Sequence, residues 1–295
     1  MLRRSLGHSF AAVALLAVLA AMGCRSTPSS GVTMGKPLLW SAQKDGRTTY
    51  LLGTMHVGFN AEKQLPRWVW DKVGSATALA VETDITNPKL MTAGVRHDGS
   101  SLRAELGEAY WKKLVAELGD GSAIDRMTAA SAATLLQTKG MPAAMPMDLM
   151  LLGEAESAKK KVVFLEDASL QLAVLEKWMD VRALKQMLDQ LTKGKQASRD
   201  LLAAYIAGDA GKLEKLGEGR EDFLAAGRTV AEYDQMMEDL LYRRNASWID
   251  AIEKLHREDS ALVAVGAMHL LGKRSVLELL QARGYTITRV TGADR

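Results

Sequence analysis

Two histidines stand in matched turns near opposite ends of the chain. One turn reads GTMH, from Gly53 to His56, and the other reads GAMH, from Gly266 to His269. The whole sequence has five histidines, so composition alone does not account for the repeat. Each turn follows an apolar stretch typical of a buried strand, and each glycine permits a tight turn with close backbone approach.

Two carboxylates are predicted at the same kind of position. Glu82 closes the short apolar segment TALAVE, and Glu166 follows VVFL. Together with His56 and His269 they would lie at the carboxyl ends of strands, the edge where open α/β sheets bind ligands. Two imidazoles and one or two carboxylates form a nitrogen and oxygen site that suits zinc, manganese, cobalt or iron.

The pattern leaves structural alternatives open. A histidine that follows a strand can be a hydrogen-bonded structural residue instead of a ligand. Glu166 can belong to the start of a helix in EDASLQ, so Glu82 is the stronger candidate. The preceding methionines, Met55 and Met268, are predicted as core residues.

A buried cation is predicted on the last long helix. Its apolar face is marked by Val230, Tyr233, Met237, Leu241, Trp248, Ile252 and Leu255. Arg244 falls on this face, and a buried guanidinium needs an acidic partner or an anion because an unpaired buried charge is very costly. A structural salt bridge and a role in the site are both open, and Asn245 could hydrogen-bond a strand-end loop. His97 and His256 sit among charged residues and are predicted at the surface.

The elements that must position these residues follow from periodicity and turn signals. An Asp-Gly pair in QKDGR predicts a hairpin between strands at 38–41 and 48–52. Further strands are predicted in TALAVE, KVVFLED, ALVAV and TITRV. Strands at both ends with helices between them predict an α/β fold: a mixed sheet with an active-site crevice at its strand ends and a large helical insertion.

Helical periodicity predicts the long segments between the strands. One helix is expected over 102–118, and nearly continuous helix over 169–257. Glycines predict breaks in the second region at 193–195, 208 and 217–219. A shorter helix over 275–283 is predicted before the final strand.

The N-terminal segment is predicted to direct the protein out of the cytoplasm. Arg3 and Arg4 precede an apolar run that ends at Gly23 and is too short to span a bilayer, which indicates a signal peptide over 1–23. Cys24 is the only cysteine in the sequence, so an intramolecular disulfide is excluded.

The position of Cys24 predicts a lipid anchor. A Gly-Cys pair after an Ala-rich apolar run resembles the lipobox of bacterial lipoproteins, whose cysteine is lipidated; ordinary cleavage after Ala20 or Ala21 is the alternative. Residues 24–36 are rich in Ser, Pro and Gly and predict a flexible tether, with the α/β domain over 37–295. We expect attachment to the bacterial envelope, at the outer membrane where one exists, with a periplasmic or secreted soluble protein as the alternative.

Composition excludes other classes of protein. A content of 47% hydrophobic and 25% charged residues is that of a globular protein and not of a disordered chain. The formal net charge is only +3, and aromatic residues are not interleaved with basic ones as in a nucleic-acid groove. We therefore expect no nucleic-acid partner.

Six segments in this order resemble the TraB/PrgY/GumN family, to which the animal Tiki proteins are related. They are YLLGTMHVG, LAVETD, MPMDLMLLGEA, KKVVFLEDASLQL, RRNASWIDAI and VAVGAMHLLG. The similarity extends from about Leu38 to Val290. It implies an α/β fold with a helical insertion and divalent-metal-dependent hydrolase activity, since Tiki members are regarded as metalloproteases. The recurrent family positions fall on Gly53, His56, Glu82, Asp148, Glu166, Arg244, Asn245, Gly266 and His269.

These observations lead to one expected function and one alternative. His56 and His269 would hold a divalent metal, with Glu82 as third ligand or general base. Arg244 would orient Glu82 or stabilise an oxyanion during hydrolysis of a peptide or a small secreted molecule. The alternative is a lipoprotein without catalytic activity that sequesters a ligand, a metal or a peptide. Both predict metal affinity.

Overall fold

The computed structural model describes residues 33–292, apart from the side chains of Lys89 and Met91. The predicted signal peptide, the lipidation of Cys24 and the tether before residue 33 lie outside the described residues. Within residues 33–292, no helix combines the length and the apolar character needed to cross a bilayer. The described part of the predicted tether contacts the domain, since Met34 is buried.

A six-stranded mixed sheet forms the centre of the fold. Its strands are β1 (Leu39–Lys44), β2 (Arg47–Thr54), β3 (Ala78–Val81), β4 (Lys161–Phe164), β5 (Ala261–Gly266) and β6 (Thr286–Arg289). Their order across the sheet is β4-β3-β5-β2-β1-β6. Strands β4, β3, β5 and β2 are parallel, whereas β1 is antiparallel to both β2 and β6. The predicted α/β fold with a mixed sheet is confirmed.

The predicted hairpin joins β1 to β2. Lys44 pairs with Arg47, which leaves Asp45 and Gly46 as a two-residue turn. Both turn residues have positive φ, 51° and 72°, as a type I′ turn requires. A turn of this type matches the twist of the two strands. The GTMH segment lies at the carboxyl end of β2.

The interior strands β3 and β5 are buried along their whole length. Strands covered on both faces show no polar alternation, which is why TALAVE and ALVAV read as continuous apolar runs. Parallel pairing aligns their carboxyl ends with that of β2: Val81 pairs with Ala264, and Thr54 pairs with Gly266. The residues that follow these strands therefore meet at one edge of the sheet.

Helices fill the chain between the strands. Before β4 they are α1 (Ala61–Gln64), α2 (Arg67–Ser75), α3 (Pro88–Ala93), α4 (Leu102–Leu106), α5 (Glu108–Leu118), α6 (Gly121–Asp125), α7 (Ala129–Thr138) and α8 (Met147–Ser157). Between β4 and β5 they are α9 (Ala168–Trp178), α10 (Val181–Asp189), α11 (Leu191–Ala207), α12 (Ala210–Glu218), α13 (Arg220–Ala225), α14 (Val230–Met237), a π turn (Glu238–Tyr242) and α15 (Arg243–Glu258). After β5 follow a 3₁₀ turn (Ala267–Leu270) and α16 (Val276–Ala282).

The helical insertion has apolar cores of its own. One cluster joins α4, α5, α6, α7 and α10, and another joins α9, α13, α14 and the π turn. Both lie apart from the cluster that covers the sheet. Helices that bury their apolar faces against each other need few contacts with the sheet for stability.

Several predicted helix boundaries differ from the structure. The single helix predicted over 102–118 is divided into α4 and α5, because Gly107 leaves the helical conformation with φ 76°. The break predicted around Gly194 is wrong, since α11 continues through it. The breaks at Gly208 and Gly219 are confirmed.

Other breaks arise from caps that helical periodicity does not reveal. The Asp180 side chain accepts the N–H of Ala183 and begins α10. Thr229 and Glu232 form a reciprocal capping box that begins α14. Such caps satisfy N–H groups that have no partner inside a helix, so they can start a new helix within an apolar pattern that continues.

We expect Gly194→Ala to raise the free energy of unfolding by about 0.5–1 kcal/mol, because Gly194 lies inside α11 and an added Cβ meets no atom within 4 Å. Gly208→Ala is the matched control at the end of the same helix. Gly208 has φ 67°, and an added Cβ would clash with the Lys36 carbonyl oxygen, so this variant should be destabilised. Urea denaturation measures the free energy of unfolding of both variants. A Gly208→Ala variant more stable than the wild type would contradict the left-handed conformation and close packing of Gly208.

Candidate active site

The two Gly-x-Met-His turns lie side by side. They leave the neighbouring strands β2 and β5 where Thr54 pairs with Gly266. An added Cβ on Gly53 would lie 3.2 Å from the Ala267 Cα, so the first turn packs directly against the second. The repeat therefore places two histidines at adjacent strand ends.

His269 is almost fully buried, and its ring centroid lies 4.6 Å from that of Trp248. Its Nδ1 is 2.6 Å from Asn245 Oδ1. The Asn245 amide nitrogen donates to the Arg274 carbonyl, so Oδ1 faces the imidazole and accepts from Nδ1–H. Nε2 carries the lone pair and lies 3.2 Å from Arg244 Nη1. Burial, assisted by the positive Arg244, lowers the pKa of His269 to about 3, so the ring is neutral near pH 7.

His56 is the more accessible histidine, with 16% of its side chain exposed. Its Nδ1 is 2.6 Å from Asp148 Oδ2, and because a carboxylate can only accept, Nδ1–H donates. Thr54 Oγ1 donates to the other Asp148 oxygen at 3.1 Å. Burial lowers the pKa of His56, but the negative charge and hydrogen bond of Asp148 outweigh burial and raise it. In its neutral form, His56 presents Nε2 to the site, as His269 does.

The Glu82 carboxylate is buried and held from several sides. Oε1 accepts the Gly266 N–H at 2.6 Å, while Oε2 accepts from Arg244 Nη2 at 2.7 Å and from Gln171 Nε2 at 3.0 Å. Burial raises the pKa of Glu82, but His269, Arg244 and other neighbours lower it to about 2. Because His269 is neutral near pH 7, Arg244 supplies the lasting positive charge. Glu82 is therefore an anion at neutral pH.

Arg244 connects the two predicted carboxylates. Its Nη2 donates to Glu166 Oε1 at 2.6 Å as well as to Glu82, and its Nε donates to Glu166 Oε2 at 2.9 Å. Nη1 donates to the Leu240 carbonyl at 2.8 Å, inside the π turn that precedes α15. Burial raises the pKa of Glu166, although Arg244 opposes this. Arg244 thus forms the anticipated salt bridge and also contacts His269.

Glu82 and the two histidines surround one point above the Cα of Gly266. An ideal Cβ there would lie 3.1 Å from Glu82 Oε1, 3.3 Å from His56 Nε2 and 3.6 Å from His269 Cδ2. A cavity of about 100 Å³ adjoins this point. Its apolar walls include Met55, Val57, Met141, Leu201, Leu213 and Met268. A side chain at position 266 would fill the space between the three polar groups.

The donor set fits a divalent metal in kind, but it is not assembled as a ligand set. Two imidazole Nε2 atoms and one carboxylate are nitrogen and oxygen donors suited to zinc-like ions, and both Nδ1 atoms are held by outer oxygens. Within residues 33–292, no three His, Cys, Asp or Glu side chains are already placed as metal ligands. Arg244 Nη1 hydrogen-bonds the His269 Nε2 lone pair that a metal would need.

The structure brings together the predicted site residues that lie within 33–292. It also adds contacts that the sequence did not indicate. Gln171 reaches Glu82 from α9, and Trp248 packs on both Arg244 and His269. Gln171 had no sequence signal, whereas Trp248 was predicted on the same helix face as Arg244.

The surface prediction for His256 is wrong, whereas His97 is exposed as expected. His256 is 2% exposed, with Nδ1 2.9 Å from Thr49 Oγ1 and Nε2 3.0 Å from the Lys44 carbonyl. The charged neighbours Lys254, Arg257 and Glu258 are exposed on the same helix. His256 is therefore a hydrogen-bonded core histidine outside the site.

We expect Arg244→Ala to lower the free energy of unfolding by about 3–5 kcal/mol, because it leaves the buried carboxylates of Glu82 and Glu166 without their cation. Arg243→Ala is the control: its side chain is 65% exposed and, within residues 33–292, its ion pair is with Asp239, so the loss should stay within ~0.5 kcal/mol. Thermal and urea unfolding at neutral pH compare the two. Equal losses would refute the buried network as described.

The chain is similar to known proteins over most of its length. The sequence profile of the TraB/PrgY/gumN family matches residues 38–289. Among relatives, the "Uncharacterized protein YbaP" of Shigella flexneri is 26% identical over 244 residues, which cover 80% of this chain and 88% of the relative. The "Uncharacterized protein YbaP" of Escherichia coli (strain K12) gives the same identity and coverage. Because the profile spans most of the sequence, including both Gly-x-Met-His turns, the chain belongs to the TraB/PrgY/gumN family.

Proposed function

We propose that this protein is a divalent-metal-dependent hydrolase, similar to a metalloprotease, that acts on peptides or a small secreted molecule at the pocket above Gly266. The observation that carries the proposal is the convergence of two imidazoles and Glu82 on one point, with each imidazole Nδ1 held by an oxygen. The resemblance of the whole domain to a family related to the Tiki metalloproteases supports it.

The residues that would hold the metal are His56, His269 and Glu82. A bound zinc-like ion would lower the pKa of water from about 15.7 toward ~7 and polarise a carbonyl group. Asp148 and Asn245 keep the Nε2 atoms directed at the site. For a metal to bind, Arg244 Nη1 must give up its hydrogen bond to His269.

Glu82 suits the role of ligand better than that of general base. A general base works best when its pKa is near the working pH, and the pKa of Glu82 is about 2. Its hydrogen bonds to Arg244, Gln171 and Gly266 also stabilise the anion. Arg244 would keep Glu82 in place and provide positive charge for an oxyanion.

The second candidate is a protein that binds the same ligands without turnover. The low pKa of Glu82 favours it, because the most central carboxylate of the pocket is a weak proton acceptor.

In either case we propose that Cys24 is lipidated and anchors the domain to the cell envelope; a periplasmic or secreted protein is the alternative. The intact mass of protein extracted from the envelope distinguishes a chain that begins at a lipidated Cys24 from one without a lipid.

We expect His56→Gln and His269→Gln to lower divalent-metal affinity by similar factors, each beyond the ~10–100-fold typical of losing an outer partner. Glutamine is preferred to alanine because the His269 ring is buried. His256→Gln is the control, a buried histidine outside the site. Calorimetric titration with zinc, manganese and cobalt measures the affinities, and unchanged binding in both site variants would rule out a shared metal.

Glu82→Gln should lose metal affinity as well. Retained metal affinity with lost turnover would instead make Glu82 the general base.

The turnover test uses the α/β domain over 37–295, which is loaded with metal and incubated with a diverse peptide library. Mass spectrometry should detect cleavage products that disappear with a chelator and with His56→Gln but persist with His256→Gln. Metal binding without any product would favour the second candidate and contradict hydrolysis of peptides.

A further inference from the structure

A second cavity lies within the helical insertion, between α7, α9, α10, α11, α13 and α14. Its volume is about 80 Å³. Most of its walls are apolar, and they include Trp178, Met179, Met187, Phe223 and Met236. An engineered cavity of about 150 Å³ can bind benzene, so this one suits a smaller aliphatic group.

This second space, the insertion cavity, adjoins the cavity above Gly266, which we call the strand-end pocket. Gln137 on α7 and Ser198 on α11 line both spaces, and neither side chain hydrogen-bonds to any group within residues 33–292. A glutamine amide carries both a donor and an acceptor, the same pair that a peptide group presents. The boundary between the cavities is therefore equipped to hold a peptide backbone.

The insertion cavity favours a neutral occupant. Two cations contribute to its lining, and each already has an acidic partner. Lys195 Nζ lies 2.8 Å from Glu117 Oε2, and Arg228 Nη2 lies 2.8 Å from Asp180 Oδ1. Since both charges are compensated, an anionic group would gain little there and would lose its hydration.

We propose that the insertion cavity is a subsite for an aliphatic side chain of a peptide whose backbone passes Gln137 and Ser198 and whose reacting bond lies at Glu82, His56 and His269. This inference rests on the proposed function for the position of the reacting bond. It narrows the ligand class to peptides with an aliphatic residue near that bond. Peptide capture without turnover would use the subsite in the same way.

The methionines of the two cavities make the test direct. Met179, Met187 and Met236 line the insertion cavity, whereas Met55 and Met268 line the strand-end pocket. The protein, labelled with ¹³C at methionine methyl groups and freed of metal by chelation, is titrated with blocked tetraglycine and with four counterparts that carry leucine at each position in turn. Without metal, the measurement reports binding and not hydrolysis.

At least one leucine peptide should shift the methyl signals of both groups with a common concentration dependence. It should bind at least about tenfold more tightly than tetraglycine, because full burial of a leucine side chain is worth about that factor or more. Gly194→Leu should remove this preference, since Gly194 lines the cavity and has space for a side chain. Gly153→Leu is the control, a helical glycine of α8 with equal space that lines neither cavity.

Gln137→Ala separates the two parts of the subsite: it should weaken tetraglycine and leucine peptides by similar factors. The proposal is overturned if no leucine peptide shifts Met187 or Met236, or if Gly194→Leu keeps the full preference for leucine. Absence of all shifts would also overturn it, even where metal binding persists. If the leucine preference is found but no peptide is cleaved, the subsite stands and the hydrolase proposal is contradicted.

Discussion

The buried positive charge of Arg244 is the constraint on which the site depends. Its side chain is largely excluded from water, and a buried charge that loses its partners costs several kcal/mol. The partners are Glu82 after β3 and Glu166 after β4, so two strand ends and the start of α15 must lie together. The Leu240 carbonyl accepts a further N–H, which ties the π turn to the same point. One guanidinium thus holds together segments that are distant in sequence.

Burial and the same charge together determine the protonation of the site. A buried carboxylate 3.7 Å from an imidazole would ordinarily share a proton with it as an ion pair. Here burial, assisted by Arg244, lowers the pKa of His269 to about 3, and Arg244 helps to lower the pKa of Glu82 to about 2 against the effect of burial, so no proton remains between the two groups. Both groups are therefore deprotonated donors at neutral pH, which is the state that metal ligands must reach. The cost is that Arg244 also occupies the His269 lone pair.

Sequence alone could predict the sheet and the convergence of the histidines, because strands buried on both faces read as apolar runs and their ends share an edge. It could not predict the contact of Gln171 with Glu82, which depends on how α9 packs. The surface prediction for His256 was wrong because its charged neighbours in sequence masked the one face of α15 that is buried. The break expected at Gly194 is absent because a glycine inside a helix costs only ~1 kcal/mol relative to alanine, and α11 continues through it.

Access to the site is one-sided, because its two histidines differ in exposure. The His269 side chain is 2% exposed while the His56 side chain is 16% exposed, so the site opens on the His56 side. The walls on that side include residues of α7, which packs into an apolar cluster of the helical insertion, and of α11, which packs mainly against the cluster that covers the sheet. Within residues 33–292, the hydrogen bonds of the Arg244 side chain go to Glu82, Glu166, His269 and the Leu240 carbonyl, none of which belongs to α7 or α11. The strand-end motifs therefore hold the charged network, whereas part of the cavity wall comes from α7 and α11, which carry none of the six family-like segments.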